Sequence, residues 1–583
     1  MSNHVTKVFH KIWGGFAIPH KPIRFRWIDF LLVLGIAGLF YGLVSVEREW
    51  TGVWYPPVEI DLNPWLLPKY TFFSMIRGII AYCLSLMFTL VYGYWAAKDK
   101  IAEKVLVPLL DILQSIPVLG FMPGLVLTLV GLFPHSNIGL ELAAIVMIFT
   151  GQVWNMTFSF YHSLCTVPAD MRQVASTFQF NWWQTLNWIE VPHAAIGLIW
   201  NSMMSMAGGW FFLMISEAFV LGHHDFRLPG VGSYMSVAVN HGNFPAMVYA
   251  IISMVVMVVL LDLFLWRPVV AWSQKFKQEE TGAQFITSSF FLNWLRKAGL
   301  LQYIGGVFDY FINAGTRYLF SKKKAHFEEF KGIRFPFRIF VWMMYTAFIG
   351  IFGFGCWKLS HMLQVLSLSS WGHISWYGCL TLLRVLSAVT IGTLWALPAG
   401  LMIGLSPKLS RIFQPVIQIV ASFPAPMLFT PIIIFLQIIG VGLGFGSIVL
   451  MLLGTQWYIL FNVIAGATSI PADLRESSRL FGMSRWQRLK NLYIPSVFPF
   501  LVTGWVTAAG GAWNASIVAE YVVFRGQTLT ANGLGAMISQ SAEKADFALL
   551  TGAVLTMSAI VVIFNRVVWR SLYNMAEKRY AIE

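Results

Sequence analysis

The stretch IPADLRESSRLFGMSRWQRLKNLYIPS, residues 470–496, is a charged insert between two apolar runs. A second stretch, VPADMRQVASTFQFNWWQTLNWIEVPH at residues 167–193, has the same frame, with Pro-Ala-Asp near its start and Pro near its end. The two lie 303 residues apart, residue 167 against residue 470. An insert that recurs in the same frame indicates that the chain is internally duplicated.

The composition is that of an integral membrane protein. Of 583 residues, 57% are hydrophobic and only 11% are charged, whereas soluble domains have about 25% charged residues. Continuous apolar runs, long enough for a helix to cross about 30 Å of hydrocarbon, predict an all-α membrane protein and exclude an alternating β-barrel pattern. We count about twelve such runs, at 28–46, 71–97, 105–132, 139–164, 193–221, 244–267, 337–357, 376–404, 411–438, 445–467, 496–523 and 547–569.

The net charge of +14 comes from basic residues that flank the predicted spans, so it does not indicate nucleic-acid binding. The positive-inside rule places both termini in the cytoplasm. No cleavable signal sequence is apparent, and the four cysteines are scattered singly, which predicts neither disulfides nor a metal site. The predicted parts are a cytoplasmic tail (1–27), a first six-helix repeat (28–267), a cytoplasmic or interfacial linker (268–336), a second six-helix repeat (337–570) and a cytoplasmic tail (571–583).

The duplication extends beyond the inserts. At the offset of 303, Gly151 matches Gly454, Trp154 matches Trp457, Gly208 matches Gly511 and Glu217 matches Glu520. Upstream the offset becomes 307 and pairs Arg77 with Arg384 and Ser115-Ile116-Pro117 with Ser422-Phe423-Pro424. An even number of spans in each half predicts two parallel repeats, with a path or a mere scaffold interface between them.

The second insert is predicted to form a helix, a glycine turn and another short helix. Pro471 suits the first turn, and Asp473 and Glu476 favour the helix start. Gly482 can end the helix in a left-handed conformation. Ser484 and Gln487 then form a capping box for a second helix that ends at Pro495.

Glu476-Ser477-Ser478, Gly482 and Ile494-Pro495 resemble the loop motif of permease subunits of binding-protein-dependent ABC importers. That motif is Glu-Ala-Ala, a glycine four residues later, then an apolar residue and Pro, and in that family the loop is the coupling helix that docks on the ATPase. In the first insert Pro168, Asp170 and Pro192 keep the frame, whereas Gln173 and Gln179 replace the Glu and Gly of the motif. The resemblance implies weaker or different docking there.

Other segments resemble the nitrate/taurine/sulfonate branch of that family. They are TLLRVLSAVTIGTLWALPAGLMIGLS (381–406), QPVIQIVASFPAPMLFTPIIIF (414–435) and SIVAEYVVF (516–524), followed by GLGAM (533–537). The resemblance implies a type I importer-like fold in the bacterial inner membrane, with two permease halves fused in one chain. It implies a small, anionic solute, although other members of the branch handle neutral or cationic solutes, so the sign of the charge stays open.

The resemblance also implies partners: two cytoplasmic ATPase subunits that bind ATP and Mg²⁺, and an extracytoplasmic solute-binding protein. The chain has no Gly-Lys-Ser/Thr phosphate-binding loop. We therefore expect no enzymatic activity and no directly bound cofactor in this chain.

Charged and polar residues within the spans are further candidates. Arg77 and Arg384 lie near the outer ends of the second spans, and Glu217 and Glu520 near those of the fifth, where they could form structural ion pairs or help an anion into the path. Polar or small residues at helical spacing in the fifth spans indicate either a translocation path or close helix packing. The first half contributes Asn201, Ser205 and Gly208, and the second contributes Thr503, Thr507, Gly511 and Asn514.

An ion-coupled secondary transporter is the alternative function. It would also use parallel repeats, but we would expect broken helices and carboxylates near the middle of the membrane. A membrane-embedded enzyme would need clustered His, Asp or Cys within the spans, and the sequence contains none.

Overall fold

The computed structural model of the protein describes residues 27–50, 59–221, 224–276, 290–295, 353–524 and 527–572, with a few single residues besides. Most of the predicted tails, most of the linker 268–336 and most of the predicted span 337–357 lie outside the described residues.

The first half is a series of helices with one β-hairpin. Its elements are α1 (Trp27–Trp50), a 3₁₀ turn (Pro64–Leu66), α2 (Leu67–Lys98), α3 (Lys100–Ser115), α4 (Val118–Leu132), α5 (Ile138–Cys165), α6 (Ala169–Thr177), α7 (Trp182–Thr185), a π-turn (Leu186–Glu190), α8 (Val191–Ser216), β1 (Ala218–Leu221), β2 (His224–Arg227), α9 (Val231–Asn240), α10 (Phe244–Leu261), a π-turn (Asp262–Trp266), α11 (Arg267–Ser273), a 3₁₀ turn (Gln274–Phe276) and α12 (Phe290–Leu295).

The second half repeats this order. Its elements are α13 (Leu368–Gly404), α14 (Pro407–Ala421), α15 (Pro426–Ile438), α16 (Leu443–Ser469), α17 (Ala472–Leu480), α18 (Arg485–Arg488), a π-turn (Leu489–Tyr493), α19 (Ile494–Ala519), β3 (Tyr521–Phe524), β4 (Gln527–Thr530), α20 (Leu534–Glu543), α21 (Phe547–Phe564) and a π-turn (Asn565–Trp569). In both hairpins the strands are antiparallel.

Within the described residues, eight helices are long and apolar enough to cross a membrane. They are Pro64–Lys98, Ile138–Cys165, Trp182–Ser216, Phe244–Ser273, Leu368–Gly404, Leu443–Ser469, Arg485–Ala519 and Phe547–Leu572. The predicted all-α membrane fold is confirmed. The two short β-hairpins were not predicted from the sequence.

Two predicted spans, 105–132 and 411–438, are not single helices. The first breaks between α3 and α4 at Ile116-Pro117, and the second breaks between α14 and α15, where the helices meet at 89°. Pro117 and Pro424 explain the breaks because proline disfavours a helical residue before it and lacks an N–H for the helix ladder. The prediction of one continuous helix in each window is therefore wrong.

Pro495 does not end the second helix of the insert, contrary to the prediction. The helix continues through the π-turn Leu489–Tyr493 into α19, so Arg485–Ala519 is one long helix. The same happens at Pro192 after the π-turn Leu186–Glu190. A π-turn widens the helix by one residue, which leaves room for a proline ring that would clash with an ordinary α-helical turn.

Contacts divide the chain into two units. The smaller unit contains Met1–Arg48, Ser159–Trp200 and Leu260–Met362, and thus the first insert. The larger unit contains Glu49–Phe158, Asn201–Val259 and Leu363–Glu583, and thus parts of both repeats. Within the larger unit, α13 packs against α16, and α16 packs against α19. A Cβ on Gly404 would lie 2.6 Å from Cβ of Ala467, so small residues bring these helices close together.

Candidate functional site

The second insert folds as a short helix, a left-handed turn and a helix that leads into the membrane. Gly482 has φ of +64°, in the region that favours glycine. Its N–H donates to Arg479 O at 3.0 Å, and the Met483 N–H donates to Ser478 O at 3.2 Å. These two bonds form a Schellman motif, which satisfies carbonyls at the end of α17. The predicted helix end at Gly482 is confirmed.

The capping box predicted for the second insert is also present. The Gln487 N–H donates to Ser484 Oγ at 3.2 Å, and the Ser484 N–H donates to Gln487 Oε1 at 2.8 Å. Pro471 precedes the helix as its N-cap, with Asp473 in the first turn. Proline has no side-chain acceptor for the first N–H groups of α17, so the negative charge of Asp473 stabilises the positive end of the helix dipole instead.

The first insert has the same local conformation despite its different sequence. Gln179 has φ of +49°, which is unusual for a residue with a side chain. Phe180 N–H donates to Ala175 O at 2.9 Å, and Gln179 N–H donates to Ser176 O at 3.1 Å, again a Schellman motif. Asn181 and Gln184 form the reciprocal capping box. Glutamine at position 179, where the motif has glycine, therefore keeps the same turn, but its backbone is strained because a residue with a side chain stands in a left-handed conformation.

Each insert exposes large apolar side chains at its turn. In the second insert Leu480 is 87% exposed, Phe481 82% and Trp486 71%. Phe178 and Trp182 of the first insert are 60% and 56% exposed. The charged residue of the motif, Glu476, is exposed beside the turn, as is Gln173 in the first insert. We call Leu480, Phe481 and Trp486 the apical patch, and such exposed patches mark interaction sites.

In the second half, Arg384 and Glu520 form an ion pair, with Nη1 and Oε1 2.8 Å apart. Arg384 Nη1 also donates to Asn532 O at 2.9 Å, and Arg384 Nε donates to Gly444 O at 3.1 Å. Glu520 accepts further bonds from Thr381 Oγ1 and the Gly535 N–H. The Glu520 side chain is fully buried, and the Arg384 side chain is 12% exposed.

In the first half, Arg77 contacts two carboxylates. Arg77 Nη1 lies 2.8 Å from Glu217 Oε1, and Arg77 Nε lies 2.5 Å from Glu141 Oε2. Ser74 Oγ and the Gly232 N–H donate to Glu217, as Thr381 and Gly535 do in the other half. The structure thus contains the pairing that the sequence allowed. Glu141 is an unforeseen third member, and its repeat-related position is Gly444.

The base of the second hairpin has a polar contact of its own. The Tyr521 hydroxyl donates to Glu543. Burial and this carboxylate raise the pKa of Tyr521 above its ordinary value of 10, so the hydroxyl remains a donor at neutral pH. The repeat-related residues of the first half are Ala218 and Asn240, which cannot make this bond.

A cavity of about 130 Å³ lies inside the larger unit, between helices of both repeats. We call it the repeat cavity, because most of its lining consists of repeat-related pairs. These pairs are Thr150 and Leu453, Gly151 and Gly454, Trp154 and Trp457, Asn155 and Tyr458, Met204 and Thr507, Ala207 and Gly510, Gly208 and Gly511, Phe211 and Asn514, Phe212 and Ala515, Gln114 and Ala421, and Val118 and Ala425.

Four of the seven residues suggested for a path line the repeat cavity: Gly208, Thr507, Gly511 and Asn514. The others do not. Asn201 is half-buried, Thr503 is exposed, and Ser205 is buried, with its Oγ making no hydrogen bond to the described residues. The glycines also allow close packing, since a Cβ on Gly208 would lie 3.2 Å from the Tyr458 hydroxyl. The two glycines, Gly208 and Gly511, thus both line the cavity and allow close helix packing.

Both helix breaks lie at the repeat cavity. Val118, at the start of α4, donates its N–H to Asn514 Oδ1 of the opposite repeat at 2.7 Å. Phe423 and Pro424, between α14 and α15, also line the cavity. The sequence repeats Ser-x-Pro at Ser115–Pro117 and Ser422–Pro424. This repeated motif was the signal from which the position of the cavity could have been predicted. The paired Trp154 and Trp457 carried a similar signal.

Residues 89–266 and 388–581 each match the family described as "Binding-protein-dependent transport system inner membrane component". Together these two matches cover more than half of the chain. The chain belongs to this family. The resemblance drawn from the insert motif is confirmed, and the duplicated match agrees with the internal repeat. The protein is a multi-pass inner-membrane protein.

The relatives of this permease family include ProW, the glycine betaine/proline betaine transport system permease protein of Escherichia coli, 25% identical over 235 residues. TauC, the taurine transport system permease protein of the same organism, is 27% identical over 194 residues. NrtB, the nitrate import permease protein of Synechococcus elongatus, is 30% identical over 145 residues. These alignments cover 40%, 33% and 24% of this chain and 62%, 64% and 50% of the relatives. The chain thus spans less than two thirds of each relative's length.

Proposed function

We propose that this chain forms the membrane-spanning part of an ABC importer, with two permease repeats (28–267 and 337–570) in one polypeptide. The repeat cavity would belong to the translocation path, and the two inserts would couple that path to ATP hydrolysis on separate subunits. Family membership and the nature of the relatives support this function. Under this proposal ATP and Mg²⁺ bind to the partner ATPase, and no covalent chemistry takes place in this chain.

The apical patch is the observation that carries the coupling role. A helix of nine residues cannot be stable by itself in water, and its turn exposes Leu480, Phe481 and Trp486. Such side chains gain free energy when a partner covers them, and aromatic residues often dominate interfaces. We assign the patch and the neighbouring Glu476 to a cleft of the ATPase subunit.

The proposed orientation places both inserts, both termini and the linker 268–336 in the cytoplasm. The hairpins β1–β2 and β3–β4 would then lie on the outer side, at the opposite ends of α8 and α19 from the inserts. A solute-binding protein would deliver a small solute to that side. ATP binding would draw the inserts together and open the path outward, in a cycle of alternating access.

An ion-coupled secondary transporter is the second candidate, and one observation favours it. The broken helices α3–α4 and α14–α15 meet the repeat cavity, as discontinuous helices do at the binding sites of such transporters. However, no described lining residue of the cavity carries a carboxylate, and coupling sites for Na⁺ or H⁺ use carboxylates or exposed carbonyls.

The test is purification of the tagged chain from its native host in mild detergent, with identification of the proteins that accompany it. We expect an ATPase to copurify. The substitutions Phe481→Ala and Glu476→Lys should each weaken its binding at least about tenfold, as for interface hot spots. Gln173→Lys is the matched control in the first insert, and its effect should be smaller. Isolation of the chain without any ATPase would contradict the proposed function.

A further inference from the structure

We propose that the repeat cavity accepts a small organic solute without net negative charge, rather than a bare inorganic anion. This inference rests on the proposed function, because it assumes that the cavity belongs to the path.

Among the residues whose side chains the structure describes, none that lines the cavity is acidic or basic. Its polar groups are neutral amides and hydroxyls, among them Gln114, Asn155 and Tyr458. An anion that left water for this site would lose hydration without gaining an opposite charge, which is costly in a low-dielectric interior. A neutral or zwitterionic solute would have a much smaller desolvation free energy, because the amides and hydroxyls of the lining can take the place of the water molecules that were hydrogen-bonded to it.

Aromatic rings make up much of the wall. Trp154 and Trp457 contribute one ring from each repeat, and Phe211, Phe423 and Phe461 add apolar surface. Ring faces carry partial negative charge, so they attract cations such as quaternary ammonium groups and do not attract anions. The wall therefore favours an apolar or cationic part of a solute.

The helix ends at the cavity could favour an anion, because helix N-termini carry partial positive charge. Here their first donors are already engaged. The Val118 N–H donates to Asn514, and Pro426, the first residue of α15, has no N–H. The next two donors of α15, Met427 and Leu428, bond to Pro424 O and Ala425 O.

Arg77 and Arg384, the two arginines near the outer ends of the second spans, do not supply the missing positive charge. Arg77 is held by two carboxylates and is almost fully buried. Arg384 is paired with Glu520. Neither arginine lines the repeat cavity. The sequence-based alternative, in which these arginines guide an anion into the path, therefore lacks a free cation at the cavity.

The charge preference can be measured without knowing the solute. The four cysteines, all exposed, are first replaced by serine. Thr507→Cys then places a thiol in the cavity lining, and Met204→Cys does so at the repeat-related position. Thr528→Cys, on the exposed face of β4, is the control. Membranes containing the native complex are treated with cationic, neutral and anionic methanethiosulfonate reagents, with and without ATP.

The measured quantity is the rate constant for the cationic reagent divided by that for the anionic reagent. We expect this ratio at Thr507→Cys or Met204→Cys to exceed the ratio at Thr528→Cys by about tenfold or more. An equal or lower ratio would overturn the inference and leave the proposed function intact. No reaction at either cavity position in any nucleotide state, while the control reacts, would contradict both.

Discussion

Glu520→Gln is expected to destabilise the protein more than Glu217→Gln, although the two glutamates occupy repeat-related positions. In the second half Glu520 is the one carboxylate that contacts Arg384 among the described residues. In the first half Arg77 keeps Glu141 when Glu217 is neutralised. The two changes therefore differ chiefly in whether an arginine loses its last carboxylate.

The magnitude follows from these contacts. Removing one member of a buried ion pair costs about 3–5 kcal/mol, and we take the lower end for Glu520→Gln because Arg384 is 12% exposed. Glu217→Gln disturbs hydrogen bonds from Ser74 and Gly232 and should cost about 1 kcal/mol. At about 2–4 °C per kcal/mol for a domain of 150–250 residues, the apparent melting temperatures should differ by about 4–8 °C.

The assay is tryptophan fluorescence of the detergent-purified variants during heating, which suits a chain with 25 tryptophans. The double variant Glu141→Gln/Glu217→Gln leaves the more deeply buried Arg77 without a carboxylate, so it should melt at or below the temperature of Glu520→Gln. Equal melting temperatures for the two single variants would refute the idea that Glu141 supports Arg77.

Three further predictions concern the inserts and the cavity. Glu476→Lys or Gly482→Asp should abolish solute uptake by cells while the chain still inserts into the membrane, whereas Gln173→Lys and Gln179→Asp should reduce uptake less. An equal loss of uptake for changes in either insert would contradict the idea that the two inserts dock unequally. Gln179→Gly should raise the free energy of unfolding by about 1 kcal/mol because it removes a side chain from a left-handed position. Gly482→Gln should lower the free energy of unfolding by a similar amount, and both changes are measured as shifts in melting temperature. Asn514→Leu leaves the N–H at the start of α4 without its acceptor and should cost about 1–3 kcal/mol; an unchanged melting temperature would show that the bond is dispensable.

Local signals in the sequence predicted the insert well. The capping residues, the acidic first turn and Gly482 act within a few residues of one another, so their outcome does not depend on distant parts of the chain. The arginine–glutamate pairs were also predictable, because a charge in an apolar span needs a partner at similar depth. Glu141 was overlooked, although it is a charged residue in an apolar run.

Features that depend on tertiary packing could not be derived in this way. A hydropathy average does not change at Ile116-Pro117 because the flanking residues are apolar, so hydropathy alone cannot reveal the helix break there. The π-turns before Pro192 and Pro495 keep the helices continuous where proline alone indicates an end. Gln179 adopts a glycine conformation because the capping box and Schellman bonds on either side fix the turn.

Under the proposed function, ATP hydrolysis on a partner drives transport through this chain. The most direct measurement reconstitutes the chain in liposomes, with and without the copurified ATPase, and follows accumulation of solutes from a complete growth medium by mass spectrometry. We predict accumulation that requires the ATPase and ATP on the side of the inserts and that is lost in the Glu476→Lys variant. Accumulation by the chain alone, under a Na⁺ or H⁺ gradient and without ATP, would contradict it.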